Sequence, residues 1–328
     1  MPTIKAEPKP VNPNLVWPAP PETARIAYVQ SFSRPEDLGI RHGFWHRVKS
    51  LLMGESDERL VRPMAVTVSA GKVFVADPGV RGIHRFNPGG DYRLINVADG
   101  VGFTSPVGLA VCGKELLATD SSRAQVLMLP LVGVKDDAEM VSLKLAVPLH
   151  QPTGIACDER GRIFVADTAA HEIKVFRRGP DRTATLETVL GKRGAGKGEF
   201  NFPTYLWRSA EGKLFVSDVL NFRVQVFDEQ LHPIAQFGKL GDGSGDAARQ
   251  KGVATDAMGH VYVVDGLFHA FQIFDDKGSY LLSVGTRGGE SGEFWLPAGI
   301  FVDRDDRIYV TDSYNGRVQV FRYMGVAP

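Results

Sequence analysis

The chain has 328 residues, with 38 Lys and Arg against 38 Asp and Glu and a formal net charge of zero, which argues against a protein built to grip nucleic acid or an anionic membrane surface. Two cysteines argue against a disulfide-rich scaffold and a four-ligand zinc module, and no uncharged apolar run approaches the ~20 residues that cross a bilayer. Gly and Pro are in excess, at 36 and 20, so the chain is rich in turns.

In chain order, residues 1–24 hold seven of the prolines and read as an extended, solvated tether. The opening Met1-Pro-Thr-Ile-Lys5 lacks the apolar stretch of a signal peptide. Residues 25–32 (RIAYVQSF) form a strand that belongs to no repeat of its own. Phe44, Trp45, Val48, Leu51 and Leu52 fall at helical spacing, so a short amphipathic helix is expected over about 43–53, its apolar face packed on the rest of the protein.

From residue 63 to 323 one pattern recurs six times. It starts at Pro63, Pro106, Pro152, Pro203, Gln250 and Pro297 and is anchored on Asp77, Asp120, Asp167, Asp218, Asp265 and Asp312. Each unit has a strand after the Pro, a β-branched and aromatic strand ending at the Asp (Ile163-Phe-Val-Ala, Ile308-Tyr-Val-Thr), an alternating strand ending at Phe (Val224-Gln-Val-Phe, Val318-Gln-Val-Phe), and a short fourth strand before a Gly-rich link. Four strands per ~40–50 residues, repeated, is the signature of propeller blades, which bury their faces only by stacking on one another. The sixth unit lacks a fourth strand. Residues 25–32 are expected to supply it, closing the ring and removing open sheet edges. The fold class is therefore all-β, a six-bladed propeller of four-stranded antiparallel blades, occupying residues 25–328 as one domain.

Pro-x-Gly-Ile-x-x-Asp, Val-x-Asp, Asn-x-Arg-Val-Gln-Val-Phe and the Gly-rich link together resemble the NHL-repeat six-bladed propellers; the sixth repeat (Pro297 to Gly299, Val310 to Asp312, Asn315 to Phe321) carries the pattern best. The run 16–28 is similar to the start of bacterial propeller lipoproteins after their lipid-carrying end. That resemblance implies a periplasmic or extracellular protein, with a lipid anchor in a native precursor. In the family's amidating-lyase members, zinc-binding His residues occupy the x of Pro-x-Gly. Here those positions hold Met64, Val107, Thr153, Thr204, Lys251 and Ala298, none a usual zinc ligand, so the lyase activity does not carry over.

A residue that acts once should break the repeat, whereas the anchor Asp recurs in every blade and reads as a turn-closing acceptor. The Gly-rich links enter strands rather than helices, so they are not phosphate loops. Arg81, Arg123, His171, Arg223, His269 and Arg317 follow the anchors and would form a cationic rim on the loop face around the channel, steering an anion, with exposed Phe222, Phe268 and Tyr314 beside them. His171 and His269, at equivalent positions, are the candidates for a shared divalent metal; otherwise no cofactor is expected. Tyr205 and Lys251 replace the small residue that other repeats hold as Gly108, Gly154 and Gly299, and so decorate the channel mouth. Cys112 and Cys157 lie in the first strands of adjacent blades one position out of register, so they are expected to face apart as free core residues.

The favoured reading is a non-catalytic scaffold that binds a protein or small anionic ligand at the loop face. The alternative is a metal-dependent lyase or lactone hydrolase over the channel. Neither a nucleic-acid partner nor a nucleophilic triad is indicated.

Overall fold

Near-continuous apolar runs in the middle strands, such as Val73-Phe-Val-Ala and Leu214-Phe-Val, give each repeat two hydrophobic sheet faces, and the architecture follows from having to bury both. The computed structural model describes residues 15–40, 58–133 and 138–325. Six sheets form in sequence order, over residues 65–95, 106–142, 152–190, 203–237, 250–284 and 300–323, each a meander with its first strand innermost. These are blades one to six of a propeller.

The sixth blade is closed by the N-terminal segment. Ile26–Phe32 pairs antiparallel with Arg317–Tyr323, Ile26 opposite Tyr323 and Phe32 opposite Val318. Val16–Trp17 then adds a fifth strand against Ile26 and Ala27, and the Trp17 ring meets Phe321 edge-on at 5.7 Å. Of the tether expected over 1–24, residues 1–14 lie outside the described residues, as does the helix expected over 43–53.

The core is divided among the blade interfaces. Six apolar clusters lie one per interface, for example Tyr262, Phe271, Phe294 and Phe321 between blades five and six, and Leu117, Val126, Ile155 and Val165 between blades two and three. Inner strands approach so closely that a Cβ on Gly299 would lie 2.6 Å from the Met64 carbonyl of the next blade, and one on Gly154 would lie 2.3 Å from the Thr204 carbonyl. This is why the repeat holds Gly two residues after its Pro. Gly252 occupies that position in blade five; Lys251 stands one residue earlier and does not replace it, contrary to the sequence expectation. Only Tyr205 is a bulky substitution there.

The cysteines also correct an expectation. Cys112 and Cys157 form a disulfide with Cα atoms 5.8 Å apart. The one-residue offset does put the two side chains on opposite faces of their own sheets: Cys112 pairs with Glu115, five before the anchor Asp, and Cys157 with Ile163, four before its anchor. Stacked blades, however, confront each other with opposite faces. The offset is therefore what lets the two sulfurs meet across the interface.

Candidate functional site

The anchor aspartates are fully buried, and each accepts N–H groups from the incoming link. Asp77 takes those of Val61 and Arg62, and Asp265 those of Ala248 and Arg249, together with Leu267 and Phe268 of its own turn. In blades four and six the Asn, Arg and Gln of the strand-three motif converge on the same carboxylate. Arg223 Nε donates to Asp218 at 2.9 Å, with Asn221 and Gln225 beside it; Arg317, Asn315 and Gln319 repeat this on Asp312. The remaining donors reach link carbonyls, Arg317 those of Gly289, Glu290 and Glu293. The motif thus clamps the Gly-rich link to the blade. Burial pushes Asp312 above the usual carboxylate range despite these donors. At Asp167 burial is outweighed by the Gln151 N–H, Lys174 and His150, which hold it below that range.

This clamp absorbs two of the six residues of the expected cationic rim, and three others are engaged elsewhere. Arg223 and Arg317 are spent inside it, and Arg123 donates to the Val101 and Gly102 carbonyls. His171 and His269 occupy the left-handed position of the turn, at φ 59° and 54°. Their Nδ1 atoms accept the N–H groups of Phe202 and Leu296 in the next blades at 3.2 and 3.1 Å. Desolvation, then the charge of Arg287, pulls His269 below the usual imidazole value, as suits an acceptor. Arg81 sits in the same turn position, exposed at φ 53°. The six residues occupy three different repeat positions and do not form one ring.

Tyr205 and Lys251 remain at the channel. Tyr205 reaches from blade four to blade one, directly across the ring, where its hydroxyl donates to the Met64 carbonyl at 3.3 Å. Desolvation pushes its ionisation well above the ordinary phenol value. A cavity of about 240 Å³ remains in the channel, lined by Gly108, Gly154, Leu206, Trp207 and Ile300 among others; Trp207 of blade four and Phe301 of blade six meet there at 5.6 Å.

Lys251 lies at the loop-face end of its strand. Its stem runs over Gly266, where a Cβ would come within 3.3 Å of Cε. Other blades hold Pro78, Ser121, Thr168, Val219 and Ser313 at that position. No carboxylate pairs with Lys251, Arg249 or Arg62 among the described residues. Desolvation, then the charges of Arg249 and Arg62, pulls the Lys251 amine down to about 8, against a smaller opposing effect of Asp265. Asp265 itself is occupied by four backbone N–H groups. The mouth is therefore a concentration of uncompensated positive charge over a tyrosine floor, able to hold an anion.

The NHL repeat model matches residues 149–176 and 294–321, which lie in blades three and six with the links that enter them. The protein is a six-bladed β-propeller that carries NHL repeats. No curated protein sequence matches it. Solved structures share the fold: virginiamycin B lyase from Staphylococcus aureus (13% identity, TM-score 0.56, covering 80% of this chain and 96% of that one), an auxiliary nutrient binding protein from Bacteroides thetaiotaomicron (10%, 0.62, 82% and 71%), and a nidogen/laminin complex (18%, 0.53, 76% and 85%). At such identities these likenesses establish the propeller and leave its activity open.

Within the propeller, no group of three or more His, Cys, Asp or Glu side chains among the described residues is placed to hold a metal ion. No described helix is long and apolar enough to cross a membrane. The sequence reading missed Arg62 and Arg249. Both immediately precede the repeat start (Pro63, Gln250), a position filled elsewhere by Ser105, Gln151, Phe202 and Leu296, so the break in pattern was there to be seen.

Proposed function

We propose that this propeller is a non-catalytic binding module that takes an anionic ligand at the loop-face mouth of its channel. The observation that carries this reading is the unpaired cluster of Lys251, Arg249 and Arg62 beside Tyr205. A buried or half-buried cation without a counter-ion is costly to the folded state, and a bound carboxylate would supply the missing charge. Tyr205 closes the centre of the channel, which favours capture at the mouth over passage through the ring. We further place the protein outside the cytoplasm, because a disulfide such as Cys112–Cys157 persists in oxidising compartments.

Calorimetric titration with citrate tests the reading. Binding by the wild-type protein should weaken at least tenfold in Lys251→Met and likewise in Arg249→Gln, with no loss of thermal stability in either. Equal citrate affinity in all three proteins would remove the mouth from consideration.

A further inference from the structure

Blade six carries two large exposed rings side by side on its loop face. Trp295 and Tyr314 are 44% and 53% exposed, unusual for side chains of their apolar area. The positions equivalent to Trp295 hold Asn201 and Ala248 in blades four and five, and those equivalent to Tyr314 hold Gly79, Ser122, Ala169, Leu220 and Leu267. The two rings lie 6.0 Å apart at 31°. Arg287 stands over Trp295 at 5.8 Å and Arg62 over Tyr314 at 5.6 Å. The result is a continuous strip, Arg287–Trp295–Tyr314–Arg62, whose last member borders the Lys251 mouth.

The strip is held in place by the backbone. The Trp295 N–H is fixed by Asp312 at 2.8 Å, and the Tyr314 N–H donates to the Trp295 carbonyl at 3.1 Å. Neither arginine has a carboxylate partner among the described residues. The nearby Glu293 turns back onto its own loop and accepts the Glu290 N–H. Rigid aromatic and arginine side chains, pre-positioned and free of local counter-ions, are the composition of interaction hot spots.

We infer that this strip docks an extended acidic segment of a protein partner, its carboxylates on Arg287 and Arg62 and its apolar side chains on the Trp295 and Tyr314 faces. Three successive contacts of 5.8, 6.0 and 5.6 Å match about five residues of extended chain at ~3.3 Å each, longer than a small anion needs. A single-stranded nucleic acid also combines charge with stacking, but the chain's charge balance favours the peptide. The inference deepens the loop-face reading without depending on Lys251.

The test is panning of a random heptapeptide display library on the wild-type protein and on Trp295→Ala and Arg287→Gln, both exposed positions, with circular dichroism checking the folds. The expected result is a pool enriched in Asp and Glu alternating with apolar residues, whose synthetic members bind at least tenfold more weakly to each variant. A pool that binds the variants equally, a basic pool, or no enrichment overturns the inference, as does tighter binding of a dT15 oligonucleotide than of any selected peptide. Citrate binding that is lost in Lys251→Met but kept in Trp295→Ala separates failure of the strip from failure of the mouth.

Discussion

At the residue scale, the same charge type serves two ends according to its partners. Arg317 and Arg223 are architectural because a buried carboxylate and link carbonyls consume their donors. Lys251 is available because Gly266 gives its stem room and no carboxylate among the described residues pairs with its amine. Anion affinity at the mouth should therefore fall as pH rises through about 8, where Lys251 loses its proton. In Lys251→Arg the fall should move above pH 10, and citrate titrations between pH 6.5 and 9.5 would reveal it. A second pH effect belongs to stability. The hydrogen bond that His260 donates to Asp256 raises the imidazole above its ordinary value, against desolvation, with Nδ1 and the carboxylate 2.7 Å apart. A raised folded-state value means the stabilisation is complete below the unfolded value of ~6.5 and is lost as pH rises through the folded value. His260→Gln should unfold at a lower temperature than the wild type at pH 6 and converge with it at alkaline pH.

At the scale of elements, stability resides in the clamp and in the blade interfaces. Removing Asp218 leaves the Arg223 guanidinium and the Asn201 N–H without their acceptor in a buried site. Asp218→Ala should cost about 3–5 kcal/mol in denaturant unfolding. The Cys112–Cys157 bridge spans a sequence separation of 45, for which loop entropy gives about 4 kcal/mol; Cys112→Ser/Cys157→Ser should lose a comparable amount, and the intact mass of the wild-type protein should rise by two hydrogen atoms on reduction. The bridge was illegible in the sequence for a specific reason. Alternation was applied within one sheet, whereas neighbouring blades meet through opposite faces. The rim was illegible for another: cations at three different repeat positions look like a ring in sequence, and only their hydrogen bonds show that most are consumed. The place of Lys251 was legible: with Gln250 at the repeat start, Gly252 falls on the small-residue position and Lys251 on the one before it.

At the scale of the molecule, the repeat was readable because periodic Pro, Asp and Phe positions impose the same four strands six times, and the missing fourth strand of the last unit named its replacement. Ile26–Phe32 covers what would otherwise be the open edge of blade six. Deleting residues 1–33 should expose that edge and give a protein that aggregates in size-exclusion chromatography. Where function departs from symmetry, the departures gather on one side of the loop face: Lys251 and Arg249 in blade five, Trp295 and Tyr314 in blade six, and Arg62 before blade one. Tyr205 reaches toward them from blade four. The binding reading therefore rests most directly on the state of one amine. Lysine-selective 13C-methyl NMR of the reductively methylated protein, assigned with Lys251→Arg, measures it. The Lys251 resonance should titrate near pH 8 and shift on addition of citrate; titration near the ordinary lysine value of ~10.4 with no response to citrate would contradict the account.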